Sequence, residues 1–268
     1  MQNLHTHTTY CDGKLTAEEM VRAAIEKGCG SIGFSEHSYV PFDFDYSMTP
    51  ELTREYFREI RSLKDKYRGV IDVFLGIEQD MFSEGPTDGL DYIIGTAHYI
   101  KCGGGYETVD AGVGNLKRIT REFFGGDVYA AAEAYYATAA ELVRITGADI
   151  VGHFDLVAKY NIDKCVFDDD DPRYIKAALG AMDAILADCR LFEVNTGAMY
   201  RIGKTEPYPS GSLLRELRAR GGEVILSSDS HDAQSLCHMF GDMRELLKAC
   251  GFKYLKRLTN DGFIDEKL

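Results

Sequence analysis

Short apolar runs alternate with longer segments of helical period along the whole chain, and this alternation restricts its fold more than any other feature. The candidate strands are Gln2–His7, Ser31–Ser35, Val70–Ile77, Tyr92–Ala97, Asp149–Gly152, Leu191–Val194 and Glu223–Ser227. Helical patterns cover Thr16–Lys27, Pro50–Tyr67, Val128–Thr146, Pro172–Asp188, Ser212–Arg220 and Ser235–Ala249. Thr49 before Pro50 reads as an N-cap with proline at the first helical position, and Asp127 and Asp171 read as further N-caps. Gly28, Gly147 and Gly221 supply C-terminal stops. Strands that alternate with helices pair in parallel through right-handed crossovers. Only the third and fourth strands are separated by a short turn. Seven strands without a Pro/Gly/Ser-rich linker predict one closed or nearly closed barrel of α/β class, a size that 268 residues accommodate.

The histidines fall at particular places in this frame. His5 and His7 end the first strand, His37 follows the second, His98 the fourth, His153 the fifth and His231 the seventh. Acids occupy matching positions: Glu78 after strand three, Glu193 at the end of strand six, Asp229 after strand seven. In a parallel barrel all strand C-termini open on one face, where such side chains converge. Residues i and i+2 on a strand face the same side, so His5 and His7 can reach one ion, and Asp229 and His231 repeat that spacing. A carboxylate at the end of the apolar run before Glu78 is costly unless it is paired or bound to metal. His238, inside the last predicted helix, is assigned no role.

Composition narrows the function. The 43 acidic residues against 30 basic ones give a net charge of −13, which argues against a surface that coats nucleic acid. It does not exclude an anionic substrate, since bound metal reverses charge locally. Seven scattered cysteines without C-x-x-C spacing read as reduced thiols in the cytoplasm. No leader-like segment follows Met1 and no apolar stretch is long enough to span a bilayer, so neither export nor membrane insertion is expected. The acidic run Asp168–Asp171 reads as a solvated loop leading into the helix at Pro172, and Gly103-Gly104-Gly105 as a mobile loop.

The ordered motifs resemble the PHP (polymerase and histidinol phosphatase) superfamily, in its histidinol-phosphatase branch. They are His5-Thr6-His7 with Cys11-Asp12-Gly13, Ser35-Glu36-His37-Ser38, Gly76-Ile77-Glu78, Gly95-Thr96-Ala97-His98, Gly152-His153-Phe154-Asp155, Glu193-Val194-Asn195-Thr196 and Ser228-Asp229-Ser230-His231. The resemblance implies one PHP metallohydrolase domain over residues 1–268, folded as a distorted seven-stranded (β/α)7 barrel akin to a TIM barrel and carrying three divalent ions. Carried over by position, the first ion would be held by His5, His7, Glu78 and Asp229. The second would share Glu78 and take His98 and His153, and the third would take Asp12, His37 and His231. Many relatives carry His where Asp12 stands, which favours an oxygen-preferring metal there. Glu36 replaces a common Asp and is expected to orient His37 or a neighbour. Asn195 and Glu193 are expected behind the ligands.

Six imidazoles and three carboxylates suit zinc, iron or manganese without choosing among them. Three divalent ions would leave a net positive site that matches a phosphomonoester dianion. The implied activity is hydrolysis of L-histidinol phosphate in histidine biosynthesis, by a hydroxide bridging two ions and with no protein nucleophile. Lys159 and Arg201 are candidate phosphate grips or, alternatively, solvated surface cations. Glu36 or Glu193 would attract the substrate's amine if ligating neighbours leave them free. Cys11 reads as a packing thiol. Competing readings are a PHP-type exonuclease or phosphodiesterase and a non-catalytic metal-bearing module. The expected partner is a small phosphomonoester, not nucleic acid or membrane, and the sequence leaves oligomeric state open.

Overall fold

A computed structural model describes residues 1–268. In chain order the elements are β1 (Gln2–Asn3), α1 (Ala17–Glu26), β2 (Ser31–Phe34), α2 (Pro50–Lys66), β3 (Asp72–Asp80), β4 (Tyr92–Thr96), β5 (Tyr99–Cys102) and β6 (Gly105–Thr108). There follow α3 (Val113–Phe123), α4 (Val128–Ala139), α5 (Leu142–Thr146), β7 (Ile150–Val151), α6 (Pro172–Leu186), β8 (Leu191–Asn195), α7 (Gly197–Ile202) and α8 (Gly211–Ala219). The chain finishes with β9 (Glu223–Ser227), α9 (Phe240–Ala249), β10 (Tyr254–Thr259) and β11 (Gly262–Lys267).

The seven predicted strands pair in parallel in the order β1-β2-β3-β4-β7-β8-β9. A bridge between Thr6 and Ser230 brings the last strand's end against the first. There His7 N donates to Ser230 O at 2.8 Å and Ser230 N donates to His5 O at 2.9 Å. The result is a nearly closed seven-stranded barrel with helices outside it. Helix α2 illustrates the outer layer. Its buried Thr53, Tyr56, Phe57, Ile60 and Leu63 recur at helical spacing, and Thr49 caps it by accepting from Leu52 N. Asp127 and Asp171 cap α4 and α6 as the sequence predicts.

Tyr92 of β4 reaches across the barrel interior. Its hydroxyl donates to Leu4 O and Phe34 O across the barrel, the latter at 3.0 Å. A Cβ on Gly33 would lie 2.5 Å from the Tyr92 hydroxyl, and one on Gly76 would lie 2.3 Å from its ring. The glycines in β2 and β3 make room for this ring below the strand ends.

Several expectations are corrected. Predicted helix Val128–Thr146 breaks into α4 and α5 at Ala140-Glu141. The last helix begins at Phe240, so Ser235–Met239, His238 included, is turn rather than helix. His238 is half-buried, with its ring against Tyr200. Gly103-Gly104, expected as loop, is the two-residue turn of hairpin β5–β6, with φ of 58° and 84°. Two positive φ values in succession are the hairpin geometry that Gly-Gly permits. A second hairpin, β10–β11, was not anticipated. It is clamped to the barrel by Gln2, whose amide donates to Leu258 O and accepts from Leu258 N, both at 2.9 Å. No helix is long and apolar enough to cross a membrane.

Candidate metal centre

Backbone pairing continues past the strands and sets the site. Beyond β2, Glu78 N donates to Glu36 O at 3.0 Å and Ser38 N to Glu78 O at 2.9 Å, which lays His37 beside Glu78. The Thr6–Ser230 bridge lays His5 and His7 beside Asp229 and His231 in the same way. Asp229 itself sits at φ 46°, a left-handed conformation that costs a non-glycine residue energy and that the surrounding bonds enforce.

All nine predicted ligands meet at this mouth. Glu78 is their centre and is 1% exposed. Its Oε2 lies 3.2 Å from His5 Nε2, 3.4 Å from His7 Nε2 and 2.9 Å from His37 Nδ1. Its Oε1 lies 2.9 Å from His153 Nε2 and 3.5 Å from His98 Nε2. Asp229 Oδ1 is 3.3 Å from His7 Nε2 and 3.8 Å from His5 Nε2. Asp12 Oδ2 is 3.0 Å from His231 Nε2, and its Oδ1 is 3.8 Å from His37 Nε2. The donors cluster as His5, His7 and Asp229, as His7, Asp12, His37 and His231, and as His37, Glu78 and His98, so His7 and His37 are shared between groups that the resemblance keeps apart. A cavity of about 240 Å³ opens over them, lined also by Asp110, Leu156, Lys159 and Arg201.

The burial and charge of these side chains fit a set of metal donors. His5 Nε2, His7 Nε2 and Glu78 Oε2 are buried without a hydrogen-bond partner. Buried polar atoms are normally satisfied, so three orphans converging on one point fit a cation. Burial alone would lower His37, but Glu78 and Asp12 raise it to about 9. Burial, with His231 and His37 nearby, lowers His7 to about 3. Despite burial, Glu78 is held well below the usual carboxylate range by His37, His5 and His153.

Three imidazoles are oriented by their Nδ1 atoms, which leaves Nε2 for the centre. His5 Nδ1 lies 2.8 Å from Glu193 Oε2, His98 Nδ1 3.2 Å from Asp80 Oδ2 and His7 Nδ1 3.4 Å from Cys11 Sγ, while His231 Nδ1 lies 3.0 Å from both Asp229 O and the Arg201 guanidinium. Glu193 also accepts from His153 N, Ser227 Oγ and Asn195 Nδ2. Asn195 Oδ1 in turn accepts from Gly197 N.

Glu36 departs from expectation. Its carboxylate accepts from Thr8 N, Thr8 Oγ1 and Cys11 Sγ, and so braces the loop after His7 rather than His37. Cys11 is correspondingly more than packing, since its thiol bridges Glu36 and His7. Glu36 and Glu193 are both buried and fully engaged, so neither is free to meet a substrate amine. Lys159 lines the cavity with Nζ 2.5 Å from Asp110 Oδ1. Arg201 also lines it, donating to Asp229 O at 2.6 Å and to Asp229 Oδ2 at 2.7 Å.

Two residues at the mouth carry no expectation from the sequence. Asp80 stands two residues past Glu78 on the same strand, and the i, i+2 spacing used for His5 and His7 would have found it. Asp110 follows the unforeseen hairpin and left no signal.

Residues 3–197 match the PHP domain, most of the barrel and seven of the nine clustered residues. The chain belongs to the PHP domain family. It is similar to the "Probable histidinol-phosphatase" of Deinococcus radiodurans, 28% identical over 259 residues that cover 92% of each chain. It is also similar to the histidinol-phosphatase of Bacillus subtilis, 25% identical over 85% of this chain and 92% of that one. The fold matches the crystal structure of histidinol phosphate phosphatase from Lactococcus lactis, complexed with zinc, L-histidinol and phosphate. There the TM-score is 0.68 at 20% identity, over 98% of both chains. Membership in the PHP family accounts for why ligand-type residues sit at nearly every strand end.

Proposed function

We propose that this PHP protein is a metal-dependent histidinol-phosphatase, which hydrolyses L-histidinol phosphate to L-histidinol and phosphate in histidine biosynthesis. The observation that carries the reading is Glu78, whose Oε2 faces His5, His7 and His37 and whose Oε1 faces His98 and His153 below an open cavity. The names and bound ligands of its full-length relatives point the same way.

In this reading three divalent ions, of zinc, iron or manganese, occupy the mouth. His5, His7, Glu78 and Asp229 hold the first, Glu78, His98 and His153 the second, and Asp12, His37 and His231 the third. The unit runs over residues 1–268, because Asp229 and His231 follow the last barrel strand and the C-terminal hairpin is bonded to Gln2 of the first. Bound there, the ions supply Lewis acidity and lower the pKa of water toward neutrality. The chain's own residues set the geometry for that chemistry. Glu193 and Asp80 hold His5 and His98 in the tautomer that presents Nε2. Lys159 and Arg201 meet phosphoryl oxygens from the cavity wall. No serine or threonine lines the cavity, and the Cys11 thiol is turned to Glu36, so no hydroxyl or thiol is placed as nucleophile. The enzyme acts on a small phosphomonoester in the cytoplasm, without nucleic acid or membrane.

The test is phosphate release by metal-analysed protein from L-histidinol phosphate, p-nitrophenyl phosphate and a single-stranded oligonucleotide. Histidinol phosphate is expected to give the highest kcat/KM, although p-nitrophenolate is the better leaving group. Cleavage of the oligonucleotide with negligible phosphate from histidinol phosphate would overturn the reading in favour of an exonuclease.

A further inference from the structure

L-Histidinol phosphate carries an ammonium group two carbons from its ester oxygen, and a carboxylate near the phosphate would complement that charge. Four carboxylates line the cavity: Asp12, Glu78, Asp110 and Asp229. Asp12, Glu78 and Asp229 each lie among imidazoles of the metal centre. Glu36, Glu193 and Asp80 are buried behind it, committed to Thr8, His5 and His98. Asp110 alone faces the cavity away from the histidines, with its side chain 24% exposed.

Its placement is built rather than incidental. Hairpin β5–β6 starts directly after His98 and returns to it, and Val109 N donates to His98 O at 2.9 Å. Val109 is buried, Asp110 N donates to Thr108 Oγ1, and Asn115 Nδ2 donates to Thr108 O at 2.6 Å. The hairpin therefore delivers residue 110 to the mouth from a backbone bond on a metal-centre histidine. Lys159 Nζ lies 2.5 Å from Asp110 Oδ1, but the contact is not aligned as a hydrogen bond. An ion pair of that kind exchanges partners at low cost when a better-oriented ion arrives.

We propose that Asp110 reads the ammonium group of the substrate, which takes the place of Lys159 when Lys159 turns to the phosphate. The proposal rests on the phosphatase reading above and adds the substrate class: phosphomonoesters with an amine on the carbon next to the ester carbon. A cation beside an anion on the wall matches an anion beside a cation on the ligand. Both charges of the wall pair are then recompensed. A phosphate ester without the amine draws Lys159 away and leaves Asp110 unpaired, so the same pair discriminates against it.

The experiment compares kcat/KM for L-histidinol phosphate and for its des-amino analogue, 3-(imidazol-4-yl)propyl phosphate, on metal-loaded wild type, Asp110→Asn and Asp110→Glu. In wild type the amine-bearing ester is expected to be favoured by about 30-fold or more, the order of a hydrogen bond to a charged group. Asp110→Asn should bring that ratio to within about threefold of unity, and Asp110→Glu should restore part of it. A ratio is insensitive to partial unfolding or ion loss, which lower both rates together. An Asp110→Asn ratio as large as that of wild type overturns the role of Asp110 while leaving the phosphatase reading intact. Release of phosphate from neither ester by wild type overturns that reading, and the proposal with it.

Discussion

Glu78 carries the heaviest demand of any single residue. Its carboxylate is buried among five imidazoles, with Oε2 toward His5, His7 and His37 and Oε1 toward His98 and His153. Glu78→Gln replaces one of those oxygens with a donor, so it should lower occupancy at the first and second ion positions together. His37→Ala should mainly empty the third. Metal per chain measures this, and loss of a single ion from Glu78→Gln with two retained beside it would contradict the bridging role. At this scale the sequence was informative wherever chemistry followed strand spacing. His5, His7, Asp229 and His231 were legible because i and i+2 share a face, and Asp80 was legible by the same rule though overlooked. Asp110 was not, because its position depends on a hairpin and not on a strand end. The partner of Glu36 was also illegible, since it depends on how the loop carrying Thr8 and Cys11 folds back.

Elements were legible where period and capping agreed, as in α2, with its Thr49 cap, Pro50 start and apolar stripe. They were illegible where the determinant lay elsewhere in the fold. The segment Ser235–Met239 before α9 stays irregular, with Cys237 N drawn to Ser228 Oγ and Lys27 Nζ bound to Gln234 O and Leu236 O. Gly33 and Gly76 look like weak points in strands until Tyr92 is seen to lie across them. That packing is testable. Gly33→Ala should destabilise the protein by about 2 kcal/mol or more through overpacking against the Tyr92 hydroxyl. In combination with Tyr92→Phe, which removes that oxygen, the loss should be smaller than the sum of the two single losses. Chemical denaturation of the four proteins measures the coupling, and strict additivity would place Tyr92 outside this contact.

For the whole molecule, barrel closure and the metal centre are one arrangement, since the bridge that closes the barrel joins the strand ends carrying His5, His7, Asp229 and His231. Removing the ions should therefore loosen the fold as well as stop turnover. Chelation is expected to lower Tm by about 5–15 °C, the scale of a ligand present at a hundred- to thousandfold its Kd. An unchanged Tm in protein shown to be metal-free would argue against this linkage. The ion-free state has its own pH dependence. His37 is raised from 6.5 to about 9, chiefly by Glu78 against the opposing effect of burial. A raised histidine contributes stability that is full below the unfolded value of 6.5 and is lost as pH rises through about 9. The stability gap between metal-free wild type and metal-free His37→Gln should thus narrow from pH 6.5 to pH 9. A gap that widens over that interval would reverse the assigned sign.

The most direct test of the account is an anomalous difference map from crystals of the zinc-loaded protein. It should contain three peaks per chain. Two should flank the Glu78 carboxylate, one beside His5, His7 and Asp229 and the other beside His98 and His153. The third should lie among Asp12, His37 and His231. Peaks on only one side of Glu78, or none within this mouth, would contradict the three-ion centre on which the proposed phosphatase activity depends.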